Sequence, residues 1–351
     1  MPKVLIIGPR FYYFNESIER AFSALGFDTR ILTFDNPVHP YNLINKIRYK
    51  LTKDKLGMKR ESRQQWQPEA DRAFSQYAPD IVFVMNGNML LPETLKRWRQ
   101  KGAKVVLWLF DSITYIPLCE DIITSVDKVF CYEQTDIPLI RKRYDIEACF
   151  LPQAVDQQLY YRIDDMEKQY DIVFAGDMVH SKKRREVVKA IVAHYPHLRI
   201  RIWGEYKLWY KSFWAWLTRE HRNIYMNRNA SSQQLNRDYN ASRMVLNIHN
   251  EQQKDGANPK LYEIAATGTY QICDANPYIR QLFPDSELGL YTLDTTKDEA
   301  HRYDRLFECI DDALTHDKQQ QAASARQIVL EHHTFEWRIR QVLSFLQNPT
   351  S

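Results

Sequence analysis

Short runs of apolar residues alternate with segments whose apolar residues recur at helical spacing along nearly the whole chain. Strands that alternate with helices in this way are typical of βαβ units around a parallel sheet. The apolar runs predict buried strands at Val4–Ile7, Thr29–Thr33, Ile81–Met85, Val105–Leu109, Lys128–Cys131, Ile172–Ala175, Arg199–Trp203, Val245–Ile248 and Tyr270–Cys273. The helical spacing predicts helices at Leu91–Gln100, Gln134–Tyr144 and Lys182–His194.

A polar stretch at Pro152–Gln169 interrupts this alternation, which then restarts. Such a stretch between two alternating halves is typical of a linker between domains. We therefore expect an N-terminal domain at 1–155, a linker at 156–169, a C-terminal domain at 170–330 and a terminal helix at 331–351 that can cross back to the first domain. The predicted fold class is α/β, with two Rossmann-like doubly wound domains that face a cleft. Ligands of such sheets bind at the carboxyl ends of the strands.

The stretch 255–274 carries the strongest local signals. Asn258 is a favoured N-cap and Pro259 is favoured at the first helical position, so a helix is predicted to begin at Pro259. A helix start behind the turn at Gly256 offers backbone N–H groups and a positive dipole end, which suit a phosphate. Glu263 lies one turn into the helix and off its apolar face, where a carboxylate suits ribose hydroxyls. The pairing predicts a nucleotide-sugar site.

Composition excludes several classes of function. A net charge of +4 over 351 residues is too mild to indicate a nucleic-acid partner. Five scattered cysteines without a CxxC pair indicate reduced thiols, not a disulfide framework or a zinc site. The chain has no GxGxxG fingerprint, no Walker phosphate loop and no Asp-x-Asp pair, a common metal-binding feature of enzymes that use nucleotide sugars. No apolar run approaches the ~20 residues of a membrane span. The reduced thiols indicate a cytoplasmic protein, with a peripheral position on the inner face of the membrane as the other expected location.

Two segments depart from the alternating plan. Tyr41–Gln65 carries eight basic residues against two acidic ones and begins with an amphipathic pattern. It is either a solvated helical excursion or a surface for a polyanionic acceptor or the anionic inner face of a membrane. Tyr206–Leu217 is rich in Trp and Tyr. It either packs in a core or a domain interface, or it meets sugar rings or a membrane interface.

Several polar residues follow predicted strands, where ligands of a doubly wound sheet bind. Lys183 and Arg184 begin the helix after one strand, which indicates either a diphosphate site or a solvated helix start. Asp111 ends another strand and is either a general base, a group that orients a donor, or an N-cap. His249 follows a third strand and is either catalytic or structural. The strand-ending glycines, where a backbone can approach a donor, are Gly8, Gly176 and Gly204.

A series of segments carries a family resemblance. They are DIVFAGDMVHSKKRREVV, RIWGE, YNASRMVLNIHNE, DGANPKLYEIAATGTYQICD and EHHTFEWRIRQVL, with looser matches at PDIVFVMNG, VVLWLFDS and CFLPQAVDQQLY. In this order they resemble glycosyltransferases of the GT-B fold, specifically the spore-maturation CgeB type within the group 1, or family 4-like, transferases. The most specific block of that family is N-x-R-x-F-E followed by Ala and Gly; here Lys260 stands in place of Arg and Tyr262 in place of Phe.

The resemblance implies roles for individual residues. Glu263 would bind the ribose hydroxyls of the donor. Lys183 or Arg184, together with Lys260, would hold the diphosphate. The loop residues that would approach the donor sugar and phosphates are Asp255, Gly256 and Asn258. Asp255 stands where related transferases often carry a second Glu.

The expected function is therefore a hexosyltransferase-like activity that moves a sugar from a nucleotide-diphosphate donor to a hydroxyl of a glycan, lipid or protein acceptor. Lysine and arginine side chains and a helix dipole would stabilise the leaving group, with no cofactor and no obligatory metal. Retention of configuration follows from the family resemblance. Two alternatives stay open: a nucleotide-sugar epimerase or hydrolase, and a non-catalytic glycan-binding or assembly protein. The further expected partner is an anionic membrane surface through 41–65, and no nucleic acid.

Overall fold

The computed structural model describes residues 1–10, 13–34, 54–116, 118–205, 225–226, 228–251, 253–284, 286–293 and 301–347. The chain forms two compact units. The N-terminal unit consists of Met1–Pro152 and Phe335–Ser351, and the C-terminal unit consists of Gln153–Thr334. The aromatic segment Tyr206–Leu217 and the first part of the basic segment, residues 41–53, lie outside the described residues.

The N-terminal unit contains a parallel sheet in the order β2-β1-β3-β4-β5-β6. Its strands are β1 (Lys3–Pro9), β2 (Asp28–Phe34), β3 (Ile81–Met85), β4 (Lys104–Leu109), β5 (Lys128–Cys131) and β6 (Ala148–Phe150). The helices between them are α1 (Phe14–Ala24), α2 (Lys55–Tyr77), α3 (Pro92–Gln100) and α4 (Asp136–Tyr144), with a short 3-10 helix at Glu120–Ser125.

The C-terminal unit contains a second parallel sheet in the order β11-β10-β9-β7-β8. Its strands are β7 (Tyr170–Ala175), β8 (Ile200–Trp203), β9 (Ser242–Asn247), β10 (Tyr270–Asp274) and β11 (Gly289–Tyr291). Its helices are α5 (Lys182–His194), α6 (Ser232–Asn240), α7 (Pro259–Ala266), α8 (Pro277–Leu282), α9 (Asp304–Thr315) and α10 (Gln319–His332), while α11 (Phe335–Gln347) returns to the N-terminal unit. In both sheets the first strand lies between the second and the third, so the strand order reverses between β1 and β3 and between β7 and β9.

The predicted fold class of two Rossmann-like parallel sheets is confirmed. Each predicted strand overlaps an observed one, because a strand covered on both faces must be apolar along its whole length. Val4–Ile7 and Val105–Leu109 are accordingly buried without exception. The edge strands β6 and β11 were not predicted, since three residues are too short to show a period. The segment 156–169, expected as a linker, is hydrogen-bonded to α6 within the C-terminal unit through Asn236 and Asn240.

The basic segment 41–65 is described only from residue 54 onward. In that part Arg63 is buried, and its guanidinium donates to the Leu90 carbonyl and to the Asp121 carboxylate. Arg63 is therefore a structural ion-pair partner and does not belong to a basic surface, which corrects the expectation for this residue. Among the described residues, no helix is both long and apolar enough to cross a bilayer.

Candidate functional site

Three strands of the C-terminal sheet bring candidate residues to its carboxyl edge. Gly176 follows β7, His249 lies two residues past β9, and Asp274 is the last residue of β10. Because neighbouring parallel strands end at the same edge, these residues meet beside the point where the strand order reverses between β7 and β9. Ligands of doubly wound sheets bind at this position.

The carboxylate of Asp274 links three elements. Its Oδ1 accepts hydrogen bonds from the backbone N–H and from Nδ1 of His249, each at 2.8 Å. Its Oδ2 forms an ion pair with Nζ of Lys183 at the start of α5. Burial would raise the pKa of Asp274, but His249 and Lys183 outweigh burial and lower it to about 2. Asp274 is therefore an ionised carboxylate that ties β9, β10 and α5 together.

The ring of His249 is fixed by this carboxylate. The residue is 2% exposed. Since an ionised carboxylate only accepts hydrogen bonds, Nδ1 carries the proton that points to Asp274. Nε2 is buried, and among the described residues it has no hydrogen-bond partner.

Cys273 lies beside this pair, with Sγ 3.8 Å from Nδ1 of His249. A ring nitrogen, the thiol and a carboxylate oxygen of these three residues lie within 4.8 Å of one another, a grouping of a kind that can hold a metal ion. Burial raises the pKa of the Cys273 thiol well above its ordinary value, so the sulfur stays protonated at neutral pH. The Lys183 ammonium also neutralises Asp274. Both features disfavour a cation here.

The start of α5 is held by a second carboxylate. Ser181 is the N-cap, and its hydroxyl accepts from the Arg184 amide. Glu251 accepts from the Lys183 amide and from the Ser181 hydroxyl, both at 3.0 Å. Burial opposes its ionisation, but these hydrogen bonds and Lys183 hold the pKa of Glu251 below its ordinary value. Its carboxylate thus lies where the sequence predicted a phosphate group.

Arg184 binds backbone carbonyl groups at the same edge of the sheet. Its Nε donates to the carbonyl of Ile248 at 2.9 Å, and a terminal nitrogen lies 3.4 Å from the carbonyl of Asp177. The guanidinium also covers Gly176, where an added Cβ would come within 3.5 Å of it. Arg184 therefore joins the end of β7 to the end of β9 beside His249.

Gly204 is required by packing at the end of β8. Its φ of 119° lies in the region that favours glycine, and a Cβ there would fall within 2.7 Å of the carbonyl carbon of Gly176. The expected role of Gly204 in donor binding stays a prediction, and the close approach of two strand ends already accounts for the glycine.

The start of α7 is tied to the end of β9. The helix begins at Pro259 with Asn258 as its N-cap, as predicted, and Oδ1 of Asn258 accepts from the Leu261 amide at 3.2 Å. The Asn258 amide group donates to Oδ1 of Asn247, the last residue of β9, at 2.8 Å. This bond places the start of α7 next to the strand end that leads to His249.

The loop before α7 is bound to α8. Oδ1 of Asp255 accepts from the Tyr278 amide at 2.9 Å, and the carbonyl of Gly256 accepts from the Asn276 side chain at 2.7 Å. Asp255 was expected to contact the donor sugar; here one of its oxygens serves the amino end of α8. The two loop residues thus hold the turn in place.

Glu263 is buried, at 2% exposure. Its carboxylate is hydrogen-bonded to the Tyr160 hydroxyl and lies 3.8 Å from Nζ of Lys260. The pKa of both Tyr160 and Tyr239 is raised, chiefly by burial and next by the negative charge of Glu263. The position of Glu263 is off the helix face of Leu261, Ile264 and Ala265, but this residue does not face solvent, because every residue of 261–266 is buried. Lys260 keeps a side chain that is 23% exposed.

The two candidates of the N-terminal unit have partners of their own. Asp111 follows β4 and accepts from the Asn86 amide at 3.3 Å. The Asp111 side chain reaches solvent, but the protein around its carboxyl group removes part of its hydration. This desolvation raises the pKa of Asp111 and outweighs the hydrogen bond from Asn86, which lowers it. At Gly8, the space that a Cβ would fill is taken by the side chains of Met85 and Asn15.

Four residues of these sites were not singled out from the sequence. They are Asn86, Asn247, Glu251 and Asp274. Asn86, Asn247 and Asp274 are polar and stand at or directly after the end of a buried strand, which is the signal that identifies them, whereas Glu251 lies four residues past the end of β9.

Residues 183–344 match the family model described as Glycosyl transferase-like. The matched range begins at Lys183 and includes His249, Glu263 and Asp274. A sequence comparison with curated proteins finds no match.

Solved structures resemble the chain over its whole length. Sucrose-phosphate synthase (tll1590) from Thermosynechococcus elongatus has a TM-score of 0.68 and 10% identity, with 100% of both chains covered. A UDP-forming trehalose-phosphate synthase from Burkholderia xenovorans has a TM-score of 0.66 and 12% identity, again over 100% of both chains. Anabaena Alr3699/HepE, in complex with UDP and glucose, has a TM-score of 0.63 and 10% identity over 99% of this chain and 100% of its own. Identities this low establish the fold, which is the GT-B type.

Proposed function

We propose that the protein is a glycosyltransferase that moves a sugar from a nucleotide-diphosphate donor to a hydroxyl of a glycan, lipid or protein acceptor. The observation that carries the proposal is the match of 183–344 to the glycosyltransferase-like family, because this range includes the cationic start of α5 and the buried Glu263. Two of the structural neighbours are named as sugar-phosphate synthases, and a third is named in complex with UDP and glucose. We further propose the CgeB type, on the order of the motifs.

The donor would bind to the C-terminal unit at the carboxyl edge of its sheet. Lys183 and Arg184 would hold the diphosphate together with Lys260, whose side chain is partly exposed beside the start of α7. Glu263 would accept hydrogen bonds from the ribose hydroxyls. Gly256 and the amides near Asn258 would face the sugar and the phosphates.

The chemistry we propose needs no metal. As the sugar–phosphate bond breaks, cationic side chains and the dipole of α7 would stabilise the charge on the departing nucleoside diphosphate. Asp111 would contact the acceptor hydroxyl, and its raised pKa brings this carboxylate closer to the range in which it can take up a proton. Retention of configuration and contact of the segment 41–65 with an anionic membrane are part of the same proposal, the latter without Arg63.

A second candidate function is a non-catalytic glycan-binding or assembly protein that keeps the fold. It is favoured by two carboxylates that already pair with the groups expected to hold phosphate: Glu251 accepts from the Lys183 amide, and Asp274 pairs with the Lys183 side chain. A nucleotide-sugar donor must displace both contacts, whereas a protein that binds no nucleotide sugar keeps them.

Two measurements test these proposals in sequence. A thermal-shift screen against UDP-, GDP-, ADP-, CMP- and dTDP-sugars identifies the donor, since a bound ligand raises the melting temperature by mass action. Release of nucleoside diphosphate is then measured with and without candidate acceptors. Acceptor-dependent release supports the transferase, and acceptor-independent consumption indicates an epimerase or hydrolase. No stabilisation by any of the five donors contradicts the transferase and indicates the non-catalytic glycan-binding or assembly protein.

A further inference from the structure

A cavity of about 530 Å³ lies in the N-terminal unit, between the first turns of α2, the loop after β4 and the short 3-10 helix. Its volume is within the roughly 300–1,000 Å³ of small-molecule sites. Of its lining residues, Ile113 and Ile116 are buried, whereas Arg60 and Tyr115 are exposed. An apolar wall with a few polar groups is typical of a ligand site.

The loop that forms one wall of this cavity begins at Asp111. Ile113 follows two residues later, so the Cα atoms of these residues are at most about 7.6 Å apart. The buried carboxylate of Asp136 fixes the loop between them, because it accepts from the Ser112 hydroxyl at 2.8 Å and from the Ile113 amide at 2.9 Å. Leu118, which also lines the cavity, has a φ of 69° that leucine rarely adopts. Residues in such conformations cluster at ligand sites, and this cavity adjoins the residue proposed to contact the acceptor hydroxyl.

The charges at the cavity leave one cation unmatched. The two lining carboxylates already have partners: Asp121 pairs with the buried Arg63 at 2.6 Å, and Glu120 lies 3.5 Å from Arg143. Arg60 has neither an ion pair nor a hydrogen bond to any residue that the structure describes. Three guanidinium groups against two carboxylates give these five side chains a net charge of +1.

This unmatched guanidinium favours a carboxylate over a phosphate group. The planar fork of an arginine matches a carboxylate through two parallel hydrogen bonds. A carboxylate carries a single negative charge, which balances the net charge of +1, whereas a phosphate monoester carries about −1.5 to −2 at neutral pH. The ring of Tyr115, 54% exposed at the same cavity, offers an apolar face against which a sugar ring can pack.

We propose that this cavity binds a carboxylate-bearing sugar unit, a uronate, of the acceptor. Arg60 pairs with the carboxylate, and Tyr115 packs against the sugar ring. The inference rests on the proposed function, because it specifies the acceptor of that reaction as an acidic glycan. Arg60 belongs to the basic segment 41–65, for which the sequence left open a polyanionic acceptor or a membrane. A cavity encloses a small ligand, which favours the acceptor at this residue.

Saturation-transfer NMR titrations of the full chain with glucuronate and with glucose, at equal ionic strength, test the proposal. We expect wild type to bind glucuronate more tightly than glucose. Arg60→Gln should weaken glucuronate binding about tenfold, which corresponds to one charge-assisted pair, and leave glucose binding unchanged. Arg60→Lys keeps the charge without the fork and should lie between them. A wild type that does not bind glucuronate, or an Arg60→Gln variant that binds it equally well, overturns the proposal.

Arg72→Gln is the matched control. Arg72 is exposed on the same helix, twelve residues and so about 18 Å further along, and it is not among the described residues that line the cavity. This variant should bind glucuronate like wild type. A loss as large as that of Arg60→Gln would mean general attraction to a basic helix and overturns the proposal.

Tyr115 tests the contact with the sugar ring. Tyr115→Ala should weaken the binding of both glucuronate and glucose, because the ring contact does not depend on charge. Tyr115→Phe keeps the aromatic face and should bind both sugars like wild type. Unchanged affinity of Tyr115→Ala for both sugars overturns the assignment of this ring to the site.

Two further probes separate a uronate from other anions. Glucose 6-phosphate that binds more tightly than glucuronate, and loses this advantage in Arg60→Gln, overturns the assignment to a carboxylate. Sedimentation with vesicles of phosphatidylglycerol and phosphatidylcholine in equal parts tests a membrane surface. We expect wild type and Arg60→Gln to sediment to the same extent, and binding that Arg60→Gln abolishes overturns the assignment of Arg60 to an acceptor.

The failures of the two proposals are distinguishable. Once a donor is known, a disaccharide with a uronate should stimulate release of nucleoside diphosphate more than its neutral counterpart in wild type, but not in Arg60→Gln. Acceptor-dependent release without this preference removes only the inference about the cavity. A chain that binds glucuronate through Arg60 but binds no nucleotide sugar removes the proposed transferase and leaves the cavity as a glycan-binding site.

Discussion

Replacing Gly204 by alanine tests whether packing explains the glycine at the end of β8. The backbone there has a φ of 119°, and a Cβ would fall within 2.7 Å of the carbonyl carbon of Gly176. The strained conformation costs about 1–3 kcal/mol, and separating two packed backbones costs a similar amount. We therefore expect Gly204→Ala to lower the free energy of unfolding of the C-terminal unit by roughly 3–5 kcal/mol.

Gly268→Ala in the same unit is the matched control. Its φ of 70° is also positive, but the nearest atom to a Cβ, at 3.3 Å, is Cδ of Arg326, part of a flexible side chain that can move. The free energy of unfolding of this variant should fall only by the cost of the strained backbone conformation, about 1–2 kcal/mol.

Urea unfolding followed by circular dichroism and tryptophan fluorescence compares the two variants, with Trp203 next to the first of them. At an unchanged slope, the midpoint of Gly204→Ala should shift two to three times as far as that of Gly268→Ala, in proportion to the loss of roughly 3–5 against 1–2 kcal/mol. A shift no larger than that of Gly268→Ala refutes the packing argument. A stable Gly204→Ala that has lost nucleotide-sugar binding would show that the glycine serves the ligand.

Three further predictions concern the site. Glu263→Gln should weaken donor binding by about 1.5–3 kcal/mol, the loss of charge-assisted hydrogen bonds; calorimetry that finds no change in a folded variant removes Glu263 from the donor site. Because the pKa of Asp274 is about 2 in the folded chain and ~3.9 unfolded, its charge contributes about 2–3 kcal/mol of stability above pH ~4, which is lost as the pH falls towards 2. The difference between the urea midpoints of wild type and Asp274→Asn should therefore be full at pH 6, fall to about half at pH 3 and vanish below pH ~2, and a constant difference contradicts this. Asp111→Asn should lower the rate of sugar transfer at least about 100-fold with donor affinity unchanged, and full activity of this variant excludes Asp111 from the chemistry.

The elements that the sequence predicts well are those determined by neighbouring residues. The strand at Val105–Leu109 was predicted because a strand with helices on both faces must be apolar throughout. The helix that begins at Pro259 was predicted because the cap and the first-turn preference act within a few residues. Three-residue edge strands such as Gly289–Tyr291 carry no comparable signal, and their pairing depends on the strand beside them.

The contacts within the candidate site depend instead on residues that lie far apart in the sequence. Lys183 and His249 were selected as separate candidates, but Asp274, which holds both, was not, although it ends the stretch with the strongest local signals. His249 precedes Asp274 by 25 residues along the chain, and Lys183 precedes it by 91. Likewise, Asp255 was selected for a ligand contact, whereas its Oδ1 accepts from an amide 23 residues further along the chain.

By itself, then, the sequence determined which of the longer segments form buried strands and where the helix at Pro259 begins, and which residue types are available at the strand ends. The tertiary structure decided which of these residues meet, which carboxylates neutralise which cations, and that Nε2 of His249 is buried without a hydrogen-bond partner among the described residues. The physical reason is range: backbone conformation and capping act over a few residues, while ion pairs and shared hydrogen bonds depend on strand order, which brings distant segments to one edge of a sheet.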